Sequence, residues 1–168
     1  MEVDSYRFLP RSFRARYEAM APGPDATGPV WAPFPVRLAE ARIALLSSAG
    51  LHVQGSQDPF DAEGERRNPL WGDPSWRPIP GRTAQGELGM MHLHVNNTDV
   101  LADHEVALPL RALDELVAAG AVGAAAPTHF SVMGYQEEGL DIWRNRSGPE
   151  IVEVLRDEHA DGVVLAPV

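Results

Sequence analysis

The sequence predicts an α/β fold: three layers, with a mostly parallel sheet flanked by helices. Two unbroken apolar runs, Arg42–Ser47 and Gly162–Val168, have the composition of strands covered on both faces. Two stretches of helical spacing, one after Pro109 and one from Ser147-Gly148-Pro149, separate the hydrophobic segments. The resulting order of strand, helix, strand, helix, strand is the parallel α/β pattern.

Taken in order, residues 1–36 read as an N-terminal arm and a proline-rich linker, and 37–168 as the domain. Phe13, Tyr17 and Met20 fall at i, i+4 and i+7 and predict a helix with one apolar face. Residues 21–36 carry five prolines and are expected to be irregular, with Trp31 and Phe34 pinning them down by packing. After the strand Arg42–Ser47 comes the small-residue turn Ser48-Ala49-Gly50. Ligands of open α/β sheets bind at the carboxyl ends of the strands, so Ser47, Ser48 and Gly50 are candidate substrate-binding residues. Residues 52–86 form a long excursion rich in Gly, Pro and Asp, expected to be ordered by Trp71 and Trp76 and to act as a lid or wall. Arg66, Arg67, Arg77 and Arg82 offer anion contacts on it.

The segment Gly89–Asp99 is the richest in chemistry. If Met90–Val95 is a strand, His92 and His94 share a face. Asn96-Asn97-Thr98-Asp99 then reads as a turn leaving that strand. Beyond it, Pro109 suits the first turn of a helix with Leu110, Leu113, Leu116 and Val117 as its buried stripe and Gly120 at its end. Residues 121–126 are expected to form a short strand followed by a glycine-bearing tail that carries His129 and Tyr135. The second helix buries Ile151, Val152, Val154 and Leu155.

Composition bounds the function. The formal net charge of −10 argues against nucleic acid and anionic membrane surfaces as partners. No apolar run reaches the roughly 20 residues that span a bilayer, and the start lacks the features of a signal peptide, so a cytoplasmic location is the expectation. There is no cysteine, hence no thiolate nucleophile or thiolate metal site among these 168 residues. There is no lysine either: all 14 basic residues are arginine, which excludes Schiff-base and P-loop chemistry.

Several blocks occur together and in order: Val3–Pro10, Ala41–Gly50, Gly72–Arg77, His92-Leu93-His94, Leu108-Pro109-Leu110 and His129–Tyr135. This set resembles the selenoprotein B family of glycine/sarcosine/betaine and D-proline reductases, in particular its shorter stand-alone members. The resemblance implies a reductase that cleaves a carbon–heteroatom bond of the C–N type in a small amino-acid-like substrate, drawing electrons from a dithiol donor. It implies no cofactor bound in this chain. In that family the strand similar to Asp161–Val168 runs into a selenocysteine or cysteine followed two residues later by cysteine. The redox residue is therefore expected just after Val168, and a translation that reads UGA as stop yields a product ending there. The domain is expected to lack its final helix and strand, to be inactive as the 168-residue fragment and to self-associate as a homo-oligomer through an under-covered sheet. Expected partners are the small-molecule substrate and either a reductase partner subunit or a thioredoxin-like donor; in the larger reductases of the family a partner subunit carries a pyruvoyl group.

On this resemblance His92, His94 and His129 are candidate catalytic residues for proton transfer or orientation. Ser47, Ser48, Gly50, Asn96, Asn97 and Tyr135 are candidate substrate-binding residues. The chain departs from the family where an aromatic, an acid and a further histidine often follow His-x-His; Val95, Asn96 and Asn97 stand there, and amides neither titrate nor hold transition metals well. The expectation is accordingly no metal. The alternative is a non-catalytic α/β ligand- or metal-binding module, with His92, His94, Asp99 and His104 as ligands.

Overall fold

The computed structural model describes residues 14–15, 18–19, 32–68, 71–93, 97–136 and 139–168. The chain divides into two units, Met1–Pro33 and Phe34–Val168. In the first, Arg14, Ala15, Glu18 and Ala19 are helical, and Arg14 Nε donates to Glu18 Oε1 at 2.7 Å. Phe13, Tyr17, Met20 and Trp31 lie outside the described residues.

The second unit is α/β, built on a largely parallel sheet. Strand β1 (Arg42–Ser47) runs parallel to β7 (Gly162–Ala166) on one side and to the pair β5 (Ala124–Ala125) and β6 (Thr128–Val132) on the other. Strand β3 (Trp76–Pro80) pairs antiparallel with β6 and closes that edge. A second small sheet pairs β2 (Leu51–Val53) with β4 (Leu88–Met90), antiparallel. The helices are α1 (Ala62–Arg67), α2 (Asn97–Ala102), α3 (Leu110–Ala118), the short α4 (Leu140–Ile142) and α5 (Gly148–Asp157). Between α4 and α5 the chain makes a π-turn, Trp143–Ser147. No helix among the described residues is long and apolar enough to cross a membrane.

The unbroken apolar run of β1 is explained by its two covered faces. Ile43 and Leu45 join a core with Leu51, Ile79, Leu88, Met90, Val100, Leu110 and Leu113. Ala44 joins the opposite core with Phe130, Val132 and Ile151, against which Leu46, Trp143 and Val163 pack. Side chains alternate along a strand, so β6 sends Phe130 and Val132 to the α5 side and His129 and Ser131 to the other.

Several elements differ from the sequence expectation. Residues 52–86 hold no simple lid: they contribute β2, α1 and β3, the last a strand of the main sheet despite Pro78 and Pro80. Proline lacks an N–H, and an edge strand tolerates it because one side of its backbone needs no ladder partner. The expected strand Met90–Val95 stops at Met90. Its partner β2 is only three residues long, because Gly50 turns the backbone with φ +68° immediately before it. A Cβ on Gly50 would sit 2.2 Å from Met91 O, so the turn requires glycine. Beyond Met90, Asn97 to Asp99 open helix α2 instead of completing a turn. The expected tail after residue 126 is β6, one of the most buried strands. Leu116 is exposed because it lies about 90° from the centre of the Leu110–Leu113–Val117 stripe, and Val152 because it lies about 100° round α5 from Ile151.

Candidate active site at the carboxyl end of the sheet

The carboxyl ends of β1, β6 and β7 meet at Ser48. Its N–H donates to Ala166 O at 3.2 Å, its carbonyl accepts from Gly134 N at 3.1 Å, and its hydroxyl accepts from Val168 N at 2.8 Å. The neighbouring Ser47 hydroxyl is buried and accepts from Ala49 N at 3.2 Å. Gly50 N donates to Val132 O and its carbonyl accepts from Met91 N, both at 2.9 Å. The three residues proposed from the strand-end rule thus form one loop, whose polar groups are committed to joining the strand ends. Beside it lies a groove of about 380 Å³ lined by Ser48, Val132, Met133, Gly134, Gln136, Leu140, Trp143 and Arg144. This is where an open α/β sheet places its ligands.

His92 leaves β4 on the flank of the same loop and is buried. Its Nδ1 lies 3.5 Å from Oε1 of Glu65, a buried carboxylate on α1, close enough to pair with it when the imidazole is protonated. Glu65 also accepts from Leu93 N through both oxygens, each at 3.2 Å. Asp61 caps α1, its Oδ1 accepting from Glu63 N and Gly64 N at 3.1 and 2.9 Å, which fixes the helix that presents Glu65. Glu65 is the residue that sequence reasoning missed. Nothing within Ala62–Arg67 marks it in advance, since a short helix without an apolar stripe reads as a solvated one.

His129 is placed within the sheet instead of on a tail. The register Ile43↔Ala125 slips to Leu46↔Phe130, so three steps along β1 face five along its partner, with Pro127 in the bulge. Leu45 N would be orphaned there; His129 Nδ1 accepts from it at 3.0 Å. An imidazole accepting at Nδ1 is neutral and carries its proton on Nε2. Burial holds its pKa below the ordinary histidine value, an effect that Asp114 and Glu158 partly oppose. His52 on β2 is likewise lowered, by burial first and by Arg77 second, against a raising hydrogen bond with the Gly50 backbone.

The remaining candidates scatter. His94 and Asn96 lie outside the described residues, and Asn97 opens α2. Tyr135 packs its carbonyl against Gly72, where any Cβ would collide at 1.6 Å. His104 is buried with Nε2 3.2 Å from Glu105 Oε1. It lines a second cavity of about 390 Å³ with Arg82, Gln85, Arg111 and Asp114, where the chain leaves β3 at the opposite end of the sheet. Glu105 is committed there as the cap of α3, accepting from Arg111 N at 2.7 Å and Ala112 N at 3.0 Å. His92 and His104 therefore face different carboxylates, and among the described residues no three His, Cys, Asp or Glu side chains group to hold a metal ion. Of the arginines proposed for anions, Arg77 spends its guanidinium on Asp58 O, Pro59 O, Ser75 Oγ and Trp76 O and stacks on Phe60, while Arg67 lies 3.4 Å from Glu63.

No family model matches the chain, and no solved structure matches it. It is 30% identical over 142 residues to the D-proline reductase subunit gamma of Acetoanaerobium sticklandii, an alignment that takes in 84% of this chain. The chain spans 54% of that protein's length. The chain is thus similar, along most of its own length, to part of a longer reductase subunit.

Proposed function

We propose that the chain forms the substrate-side part of a reductase subunit, which cleaves a C–N bond of a small amino-acid-like substrate of the D-proline kind. The observation that carries this reading is the junction at Ser48. There the ends of three parallel strands meet at Ser48, which lines the groove and holds Val168 N, in a chain similar to a D-proline reductase subunit. The resemblance puts a selenocysteine or cysteine after the segment that β7 leads into, and Ser48 Oγ accepts from Val168 N at the rim of that groove. Two electrons from a dithiol, which ends as a disulfide or selenenyl sulfide, break the C–N bond; one proton goes to carbon and one to nitrogen. His92, oriented by Glu65, is the proton-transfer residue of this reading. A partner subunit with a pyruvoyl group and a thioredoxin-like donor complete the assembly it implies.

The test has two steps. Sequencing past the Val168 codon should reveal UGA or a cysteine codon in a continuing frame, and the intact mass of the native polypeptide should exceed that of residues 1–168. The native assembly should then open D-proline reductively with a dithiol as donor, and His92→Gln should cut turnover by roughly 10²-fold or more. A native mass equal to residues 1–168, or no reductive cleavage of any small amino acid by the native assembly, overturns the reading.

A further inference from the structure

His129 Nε2 is a buried donor that no acceptor among the described residues takes. The residue is 1% exposed, and its Nδ1 accepts from Leu45 N, so the ring proton sits on Nε2. The two nitrogens face opposite sides of β6: Nδ1 turns to β1, and Nε2 to the chain that follows β3. The residue met there is Gly81, where a Cβ would stand 3.3 Å from Nε2. From above the sheet, the Asp114 carboxylate on α3 acts on the same ring and opposes the effect of burial. Native structures rarely leave a buried N–H unpaired, so this one calls for a partner.

Gly81 and Asp114 are walls of the cavity of about 390 Å³ at the opposite end of the sheet from Ser48. Residues 81–85 form one side of it and the first turns of α3 another. Most of its polar groups are engaged. The Gln85 amide accepts from His104 N and donates to Leu101 O, and Glu105 caps α3. Asp103 Oδ1 accepts from Glu105 N, and Arg111 reaches Glu115 at 2.9 Å. The Asp114 carboxylate and the Arg82 guanidinium make no hydrogen bond or ion pair among the described residues.

An N–H donor beside a carboxylate is matched by a hydroxyl, whose oxygen accepts from the first while its proton goes to the second. An anion would satisfy His129 but meet Asp103, Glu105 and Asp114, three carboxylates against the two guanidiniums of Arg82 and Arg111. An ammonium group would satisfy Asp114 but turn its protons toward the N–H. Arg82 offers donors to a second hydroxyl, and Ala84, Ala102 and Leu110 offer apolar surface to the C–H face of a ring. The volume lies in the range of small-molecule sites. We propose that this cavity binds a small neutral polyol, a sugar or a cyclitol, with one hydroxyl bridging His129 Nε2 and Asp114. The site is independent of the reductase reading, since it uses none of the groups around Ser48. Its occupancy is felt in β1, because the same imidazole holds Leu45 N.

Titration of the full chain at neutral pH, followed by the long-range ¹H–¹⁵N resonance of His129 Nε2, tests it. D-ribose, D-glucose and myo-inositol serve as ligands, with cyclohexanol, a ring carrying a single hydroxyl, and inorganic phosphate as controls. At least one of the three polyols should shift His129 Nε2 saturably, move the Leu45 amide with it, and bind about tenfold or more tightly than cyclohexanol or phosphate. Asp114→Ala should raise the Kd of that polyol about tenfold. Gly81→Ala, which sets a methyl group against Nε2, should abolish the shift. If Gly81→Ala does not fold, Arg82→Gln, a change at an exposed side chain, should weaken the polyol about threefold or more. An unmoved His129 signal with every polyol means that water alone meets the N–H, and overturns the assignment. Tighter binding of phosphate than of any polyol, or wild-type affinity in Asp114→Ala, overturns it as well.

Discussion

A histidine in the middle of a parallel sheet has to be either paid for by a partner or expelled, and His129 shows the first outcome. Its Nδ1 fills the ladder gap that the bulge at Pro127 leaves opposite Leu45. Protonation at Nδ1 would turn that acceptor into a donor facing a donor. Because the folded-state pKa is lowered, the unfolded chain binds the proton more readily. The stability contributed by neutral His129 is therefore complete above about pH 6.5, the unfolded value, and is lost as the pH falls through the folded value. Urea midpoints should drop between pH 7 and 5, and His129→Asn, which keeps an acceptor near Nδ1 without titrating in this range, should flatten that drop; an equal drop in both proteins contradicts the role. His52 is lowered as well, so a His52→Gln control separates its share of the slope. A second residue-scale outcome concerns Glu65. Removing its carboxylate in Glu65→Ala takes the acceptor from Leu93 N and the facing oxygen from the His92 ring in a buried place, at a cost of about 1–3 kcal/mol. Chemical denaturation should show a loss of that size, and a change under 1 kcal/mol would mean that the pair is solvated.

Among the elements, what the sequence revealed depended on whether burial left a periodic trace. The run Arg42–Ser47 has two apolar faces and reads as a strand at sight, and the Leu110–Leu113–Val117 spacing with Gly120 behind it reads as a helix. Strand β3 left no such trace, since Trp76-Arg77-Pro78-Ile79-Pro80 carries prolines that only an edge position allows. The histidine segment misled for a different reason: its apolar alternation continues past Met90, yet β4 can extend no further than β2 gives it a partner. Glu65 was invisible because burial of a charge depends on a tertiary partner, His92, that lies 27 positions away in the sequence. Capping is similarly local in effect and distant in origin. Helix α3 begins at Leu110 with no side-chain cap of its own, and Glu105 reaches over to accept from Arg111 N and Ala112 N. Replacing it in Glu105→Ala should cost about 1–2 kcal/mol. Amide exchange at Arg111 and Ala112 should accelerate while that of β1 keeps its protection relative to global unfolding; uniform acceleration would argue against a local cap.

For the molecule as a whole, the unfinished surface is the β7 edge. Strand β7 pairs with β1 on one side, and among the described residues no strand takes its other side. Val164 is 50% and Leu165 67% exposed there, and Val168 beyond them 43%. Proteins usually guard such an edge with lysine, proline or an inward charge, whereas Gly162–Ala166 contains none. Residues 1–168 should therefore self-associate through β7. The opposing influence is the net charge of −10, which repels copies of the chain over about a Debye length, near 10 Å at 0.1 M salt. The two effects predict a particular salt dependence: association of the apolar edge should tighten as salt rises and the repulsion is screened, whereas assembly driven by ion pairs would loosen. Sedimentation velocity over a dilution series at low and high salt measures this directly. Leu165→Glu, placing a charge on the most exposed apolar side chain of the strand, should weaken association about tenfold or more without lowering the melting temperature appreciably, since that side chain is already in solvent. A concentration-independent monomer at high salt, or an unchanged dimer in Leu165→Glu, would show that the edge is guarded in some way that its composition does not reveal.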